Sequence, residues 1–196
     1  MLVFWEQRLA ILATPKTGST AIYAALESLA VVSIQRPPVL KHTNVGRFYR
    51  FIGPYLEAAA GGSFTVVALM REPRDWLGSW YRYRQREDIV APEKRTTDLS
   101  FDDFVQGWCA TPQPSFAAVG SQARFLAPAD GAQADRIFRY EAIDGFVGFL
   151  EDRLDFQIVL PRLNVSPKAP LDLSTDTEVL LHMTAAEDFR LYTSLR

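Results

Sequence analysis

The chain has little of what many functional signatures are built from. Of its 196 residues, one is cysteine and two are histidine. A lone Cys109 forms no intramolecular disulfide and fits a reducing compartment. The ordinary use of such a residue is as a small, half-buried hydrophobe. Neither His42 nor His182 has a second histidine or a cysteine at helical spacing, so no metal site is expected. An excess of charge of one sign is missing too: 21 Lys and Arg stand against 23 Asp and Glu, a net charge of −2. That balance argues against a general nucleic-acid binder. Any anion site must then be a local cluster of Lys and Arg focused in a cleft. No apolar run reaches membrane-spanning length. Glu6 and Arg8 interrupt the N-terminal stretch, so no signal peptide is read there. Internal repeats, low-complexity tracts and linkers are absent. What remains has the composition of an ordinary globular protein, expected to form one domain over residues 1–196 with a substantial core.

The stretch that organises the chain is Thr14-Pro15-Lys16-Thr17-Gly18-Ser19-Thr20. Apolar Leu9-Ala10-Ile11-Leu12-Ala13 before it predicts a buried strand. After it, Ile22, Leu26 and Leu29 recur on one helical face. Strand, polar turn and helix together aim free backbone N–H groups at an anion. Gly18 permits a close backbone approach, Lys16 adds positive charge, and Ser19 and Thr20 add hydroxyl donors. The plainer alternative is a helix capped by Thr17 or Ser19. The turn is not a Walker A loop, since its lysine precedes the glycine.

Further along, Val31-Val32-Ser33-Ile34 predicts a short strand that Arg36-Pro37-Pro38 breaks. Thr43 or Asn44 caps a helix with Val45, Phe48, Ile52, Tyr55 and Leu56 on one stripe, kinked or divided by Pro54. Phe64-Thr65-Val66-Val67-Ala68-Leu69-Met70 is the clearest strand. Arg71-Glu72-Pro73-Arg74-Asp75 ends it and opens a helix through about residue 86. A surface loop follows over residues 88–100, and Ser100 with Asp103 forms a capping box for the next helix. Residues 121–126 predict a short helix or turn, and Pro128-Ala129-Asp130-Gly131 a further turn. Arg136-Ile137-Phe138-Arg139-Tyr140 predicts a strand, residues 141–154 a helix, and Gln157-Ile158-Val159-Leu160 an edge strand. Two short helices close the chain, at residues 175–183 and 186–195. This alternation predicts an α/β fold in three layers, a mostly parallel sheet flanked by helices.

Two segments carry a family resemblance. Pro15-Lys16-Thr17-Gly18-Ser19-Thr20 is similar to the 5′-phosphosulfate loop of sulfotransferases that use 3′-phosphoadenosine 5′-phosphosulfate (PAPS). Arg71-Glu72-Pro73-Arg74-Asp75-Trp76-Leu77-Gly78-Ser79 resembles their second signature: an arginine after a buried strand, a proline two on and a serine eight on. In the family that arginine and serine hold the 3′-phosphate. The chemistry of the residues agrees, because a guanidinium pairs with phosphate as a lysine cannot. The C-terminal end of a strand is also where open α/β sheets bind ligands. Ser79 lies roughly 12 Å along the helix axis at 1.5 Å per residue, so one phosphate meets both only if the arginine folds back. The alternatives are a surface arginine closing a strand and a solvated helix serine. Three further segments extend the likeness over most of the chain. Arg139-Tyr140-Glu141 is similar to a family strand ending in Tyr-Glu. Leu163-Asn164-Val165-Ser166 is similar to the Asn-x-Ser segment of carbohydrate-type members, and Asp188-Phe189-Arg190-Leu191-Tyr192 to their C-terminal helix.

The resemblance implies a P-loop-like sulfotransferase fold and sulfuryl transfer from PAPS to a hydroxyl or amine, with no required metal. Lys16 would meet the leaving group. His42 would be the base, since imidazole titrates near neutrality. The cytosolic branch has Lys-x-His here, however, and this chain has Lys41-His42 without the intervening residue. A surface histidine is the alternative for His42, and His182 reads as structural. Many family members that modify secreted glycans carry a membrane anchor, so its absence here implies a cytoplasmic, bacterial protein. The expected acceptor is a small molecule or glycan, met at the loop after residue 86 or at the aromatics between Trp108 and Phe116. Arg82, Arg84, Arg86, Lys94 and Arg95 point to an anionic acceptor or to a soluble helix face. A non-catalytic nucleotide-binding module and a nucleotide-dependent phosphotransferase are the competing functions. The latter would need a Walker A glycine pattern and an acidic Mg²⁺ ligand, which the sequence does not offer.

Overall fold

In the computed structural model, residues 1–128, 131–161, 163 and 169–195 are described. The chain begins with a hairpin of β1 (Leu2–Phe4) and β2 (Leu9–Ile11). Arg8 turns it at φ 49°. Helix α1 (Ser19–Leu26) and a 3₁₀ turn lead to β3 (Val32–Ser33). Next come α2 (Pro38–Lys41), α3 (Val45–Arg47), a π-turn at Phe48–Ile52 and α4 (Gly53–Ala60). β4 (Thr65–Met70) runs into α5 (Pro73–Arg84), and α6 (Phe101–Cys109) and α7 (Gln122–Leu126) follow. β5 (Arg136–Arg139), α8 (Ile143–Leu154), α9 (Thr175–Thr184) and α10 (Ala186–Ser194) complete it.

The five strands lie in the order β3-β1-β2-β4-β5. β2–β4 and β4–β5 pair in parallel, but β1 is antiparallel to both of its neighbours. The sheet is therefore mixed, not mostly parallel. β1 is the strand that the sequence did not announce: three residues are too few to show a period. It exists because the tight turn at Arg8 folds Leu2-Val3-Phe4 back along β2. The remaining strands all run in one direction, so the ends of β2 and β4 that carry the two predicted signatures lie side by side.

Alternation along the strands feeds two apolar layers. Val66, Ala68 and Met70 face a core with Val45, Phe48, Leu56 and Leu126. Val67 and Leu69 face the other, with Ile22, Leu26, Phe146 and Leu150. Helices thus cover both faces, and β4 is buried on both sides, which is why it reads as a continuous apolar run. A third cluster, beyond the β4 end, joins α5, α6 and α9 through Trp76, Phe104, Trp108 and Leu181.

Local signals predicted several details. Ser100 and Asp103 form the reciprocal capping box of α6, and Asn44 caps α3. Pro54 has no N–H to give the preceding turn, and a π-turn with a Gly53 N–H to Phe48 carbonyl bond absorbs the defect. Other expectations fail. α1 stops at Leu26, and the 3₁₀ turn leaves Leu29 40% exposed. Tyr55 points out of its predicted stripe, 76% exposed. Residues 157–160 form no strand; instead the Ile158 N–H donates to Glu151 Oε1. The predicted Asn164-Val165-Ser166 segment and half of the turn at Pro128 lie outside the described residues. No helix among the described residues is long and apolar enough to cross a membrane.

Candidate active site

The loop after β2 departs from the sheet one residue late, since the Leu12 N–H still donates to the Val67 carbonyl at 2.9 Å. It then turns through two left-handed residues, Lys16 at φ 65° and Gly18 at φ 76°. The carbonyls of Thr14, Pro15, Lys16 and Gly18 are engaged. Thr17 Oγ1 donates to the Thr14 carbonyl at 2.9 Å, and the Trp76 indole N–H to that of Pro15 at 2.9 Å. Arg71 Nη1 donates to Lys16 O at 3.2 Å, and the Ala21 and Ile22 N–H groups to Gly18 O at 2.9 and 3.3 Å.

The donors are treated in the opposite way. Gly18 is the N-cap of α1, and no side chain caps it, which removes Thr17 and Ser19 from that role. Among the described residues, the N–H groups of residues 16–20 donate to no protein acceptor. Thr14 Oγ1 is fully buried in the same loop and has no partner among the described residues. Buried hydroxyls are normally bonded, so this arrangement fits an anion received at the start of α1. A side chain at Gly18 would be strained by the positive φ, and its Cβ would meet the Tyr140 ring at 3.2 Å.

Arg71 stands one residue past β4, and its side chain is 15% exposed. Its Nε donates to Asp75 Oδ2 at 2.6 Å and its Nη1 to Lys16 O. Among the described residues, two of the five guanidinium N–H groups are thus engaged, which leaves three for a ligand. The guanidinium lies over the Tyr140 ring, 4.8 Å from its centre. Arg71 therefore touches the loop directly, and Tyr140 lines both Gly18 and Arg71. Pro73 sits in the first turn of α5 as expected, and Glu72 caps that helix by accepting from the Asp75 N–H.

Lys16 turns its ammonium onto α5, 4.1 Å from the centre of the Tyr83 ring and 5.4 Å from that of Trp80. Burial, then the positive charges of Arg71, Arg86 and Arg82, lower its pKa from 10.5 to about 8. A cation held this way gains from any anion that neutralises its neighbours. Among the described residues, the buried Trp80 Nε1 nearby has no partner. Ser79 is buried in α5, 7% exposed, and no hydrogen bond among the described residues joins it to Arg71 or the loop.

His42 ends α2 and reaches the base of the loop, with Nδ1 2.6 Å from the Ala13 carbonyl. A carbonyl only accepts, so Nδ1 carries the hydrogen and the neutral ring keeps its lone pair on Nε2. Burial lowers the His42 pKa below its ordinary value. The Ala13 bond opposes that shift, and Lys41, the N-terminal ammonium and Lys16 add to it. The structure thus gathers the loop, Lys16, Arg71 and His42 at adjacent strand ends.

Several of the other basic and aromatic candidates are engaged within the protein. Arg84 is 7% exposed and donates to the Ser115 and Ala118 carbonyls, so it is no part of a soluble face. Arg86 pairs with Asp88, and Arg95 donates to the Ile89 and Glu87 carbonyls. Trp108 is buried with its indole N–H on the Gly120 carbonyl, and Phe116 fills the space over Gly107. His182 stacks on Phe189 at 4.3 Å, outside the site. Sequence reasoning missed Tyr140, Trp76, Trp80 and Tyr83 as parts of the site. The spacing of Trp76, Trp80 and Tyr83 on one helix face was the signal available for three of them. Comparison with protein-family models, curated proteins and solved structures finds no match to this chain.

Proposed function

We propose that this chain is a PAPS-dependent sulfotransferase with a P-loop-like sulfotransferase fold, acting on a hydroxyl or amine of a small-molecule or glycan acceptor. The observation that carries the reading is the polarity of the 14–20 loop. The carbonyls of Thr14, Pro15, Lys16 and Gly18 are turned to protein donors, while among the described residues the N–H groups of 16–20 and three Arg71 donors are left open. Two anion positions at neighbouring strand ends suit a nucleotide bearing phosphate at both its 5′ and 3′ ends.

The roles follow from charge and position. The open N–H groups of the loop, with Ser19 and Thr20, hold the phosphosulfate, and Arg71 holds the 3′-phosphate. Ser79 is assigned a share of that phosphate from the resemblance alone. The donor supplies the sulfuryl group: its bridging S–O bond breaks, a bond from sulfur to the acceptor oxygen forms, and the electron pair stays on the bridging oxygen. Lys16 stabilises the charge that grows there. His42 Nε2 takes the acceptor's proton, and attack is in line with the leaving oxygen.

Arg71→Ala tests the assignment. Adenosine 3′,5′-bisphosphate should bind the variant more weakly by about 2–5 kcal/mol, the size of a lost charge-assisted contact. Adenosine 5′-phosphosulfate lacks the 3′-phosphate, and it should lose only about 1 kcal/mol, for the missing Arg71 to Lys16 carbonyl bond. Calorimetric titration of both nucleotides decides the matter. Equal weakening would make Arg71 a prop of the loop and not a reader of phosphate.

A further inference from the structure

Two side chains one turn apart on α10 each start a hydrogen-bond relay that ends on the turn carrying Arg71. Asp188, 5% exposed, holds the start of α7: Oδ1 accepts from the Gln122 and Ala123 N–H groups at 2.8 and 3.1 Å, and Oδ2 from Ser121 Oγ at 2.8 Å. This fixes Gln122, which is 1% exposed. Its amide then pairs with both main-chain groups of Arg71. Oε1 accepts from the Arg71 N–H at 2.9 Å, and Nε2 donates to the Arg71 carbonyl at 2.8 Å. Four residues along α10, and so on the same face, the Tyr192 hydroxyl donates to Glu141 Oε2 at 2.8 Å. Glu141 Oε1 accepts from the Glu72 N–H at 2.8 Å.

β4 and β5 stop pairing at Met70 and Arg139. Beyond that point the strand ladder no longer fixes the peptide units of Arg71 and Glu72, and the two relays take its place. Both end on the main chain flanking one arginine. A guanidinium at the tip of a long side chain is aimed by its backbone, and a displacement of about 1 Å is enough to cost a site much of its effect.

We propose that α10 positions the Arg71 guanidinium through Gln122 and Glu141. Asp188, Gln122, Glu141 and Tyr192 are then positioning residues for recognition of the 3′-phosphate, more than 100 residues from Arg71 in the case of α10. The inference rests on the donor reading given above for Arg71.

The test is the ratio of two affinities in one protein: adenosine 3′,5′-bisphosphate against adenosine 5′-phosphosulfate, titrated calorimetrically. A partly unfolded sample lowers the number of sites for both nucleotides alike and leaves the ratio alone. Gln122→Met keeps bulk and removes the amide; Tyr192→Phe removes one hydroxyl. The bisphosphate should weaken about tenfold in the first and about threefold in the second, while the phosphosulfate changes less than twofold. Asp188→Asn keeps the oxygen that takes both α7 N–H groups and should retain the wild-type ratio, whereas Asp188→Ala should lose it. An unchanged ratio in both Gln122→Met and Tyr192→Phe overturns the relay while the donor reading stands. If wild type binds neither nucleotide, the donor reading has failed and the relay falls with it.

Discussion

Replacing His42 with alanine is expected to lower kcat by about 10²–10⁴-fold, the usual size of a lost general base. Nucleotide affinity should change little, because the ring contacts the Ala13 carbonyl and none of the open loop N–H groups. Wild-type activity should rise with pH as His42 loses its proton. Burial lowers that pKa, so the rise should lie below the ordinary 6.5 of histidine. The sign for stability is the same: the fold favours the neutral ring, and this contribution is lost as pH falls from 6.5 through the folded value. The acid limb should be absent from His42→Ala. A steady-state pH profile with a working acceptor, or a surrogate phenol, measures both effects. Full activity in the variant would remove the histidine from the mechanism.

Lys16→Ala should lower kcat by about 10²–10³-fold, as for one lost transition-state donor. The lysine also gives the free enzyme an upper pH limit. With a pKa of about 8 it is charged below that pH, so kcat/KM should fall as pH rises through it. Lys16→Arg keeps its charge throughout and should lose this limb, at some cost in rate from altered geometry. Between about 8 and 10.5 the unfolded chain keeps a proton that the fold has released, so this group adds stability as pH rises there. An anion bound in the loop should raise the Lys16 pKa and move the limb upward in kcat relative to kcat/KM. If neither limb responds to Lys16→Arg, the lysine does not meet the reacting charge.

The parts of the fold written in short-range pattern were legible. The apolar run at β4, the strand-turn-helix at residues 9–26, the Ser100–Asp103 box and the arginine at the end of β4 all follow from neighbours within a few residues. What was hidden depends on distant partners. β1 is too short to carry a period, and its antiparallel insertion makes the sheet mixed. Arg84 looks like a solvated helix residue until Ser115 and Ala118 present their carbonyls. His42 was separable from a surface histidine only once α2 placed it on Ala13, 29 residues away. Gln122 has no local mark, and Tyr140 was marked only as the end of a strand similar to the family's, because their contacts with Arg71 form across the sheet end. Ser79 was expected at the phosphate from the family resemblance, and the structure places it in α5 with no bond to Arg71 among the described residues. Loop chemistry could be read from the residue types, but the opposed use of its carbonyls and N–H groups could not.

That opposed use is the centre of the account, and ligand-induced stabilisation tests it most directly. Wild-type protein should be thermally stabilised by adenosine 3′,5′-bisphosphate without any metal. At about a hundred times the dissociation constant the gain should be about 2.7 kcal/mol, a rise of roughly 5–10 °C in Tm for a chain of this size. A rise with ATP and Mg²⁺ and none with the bisphosphate would contradict a PAPS site and favour phosphoryl transfer.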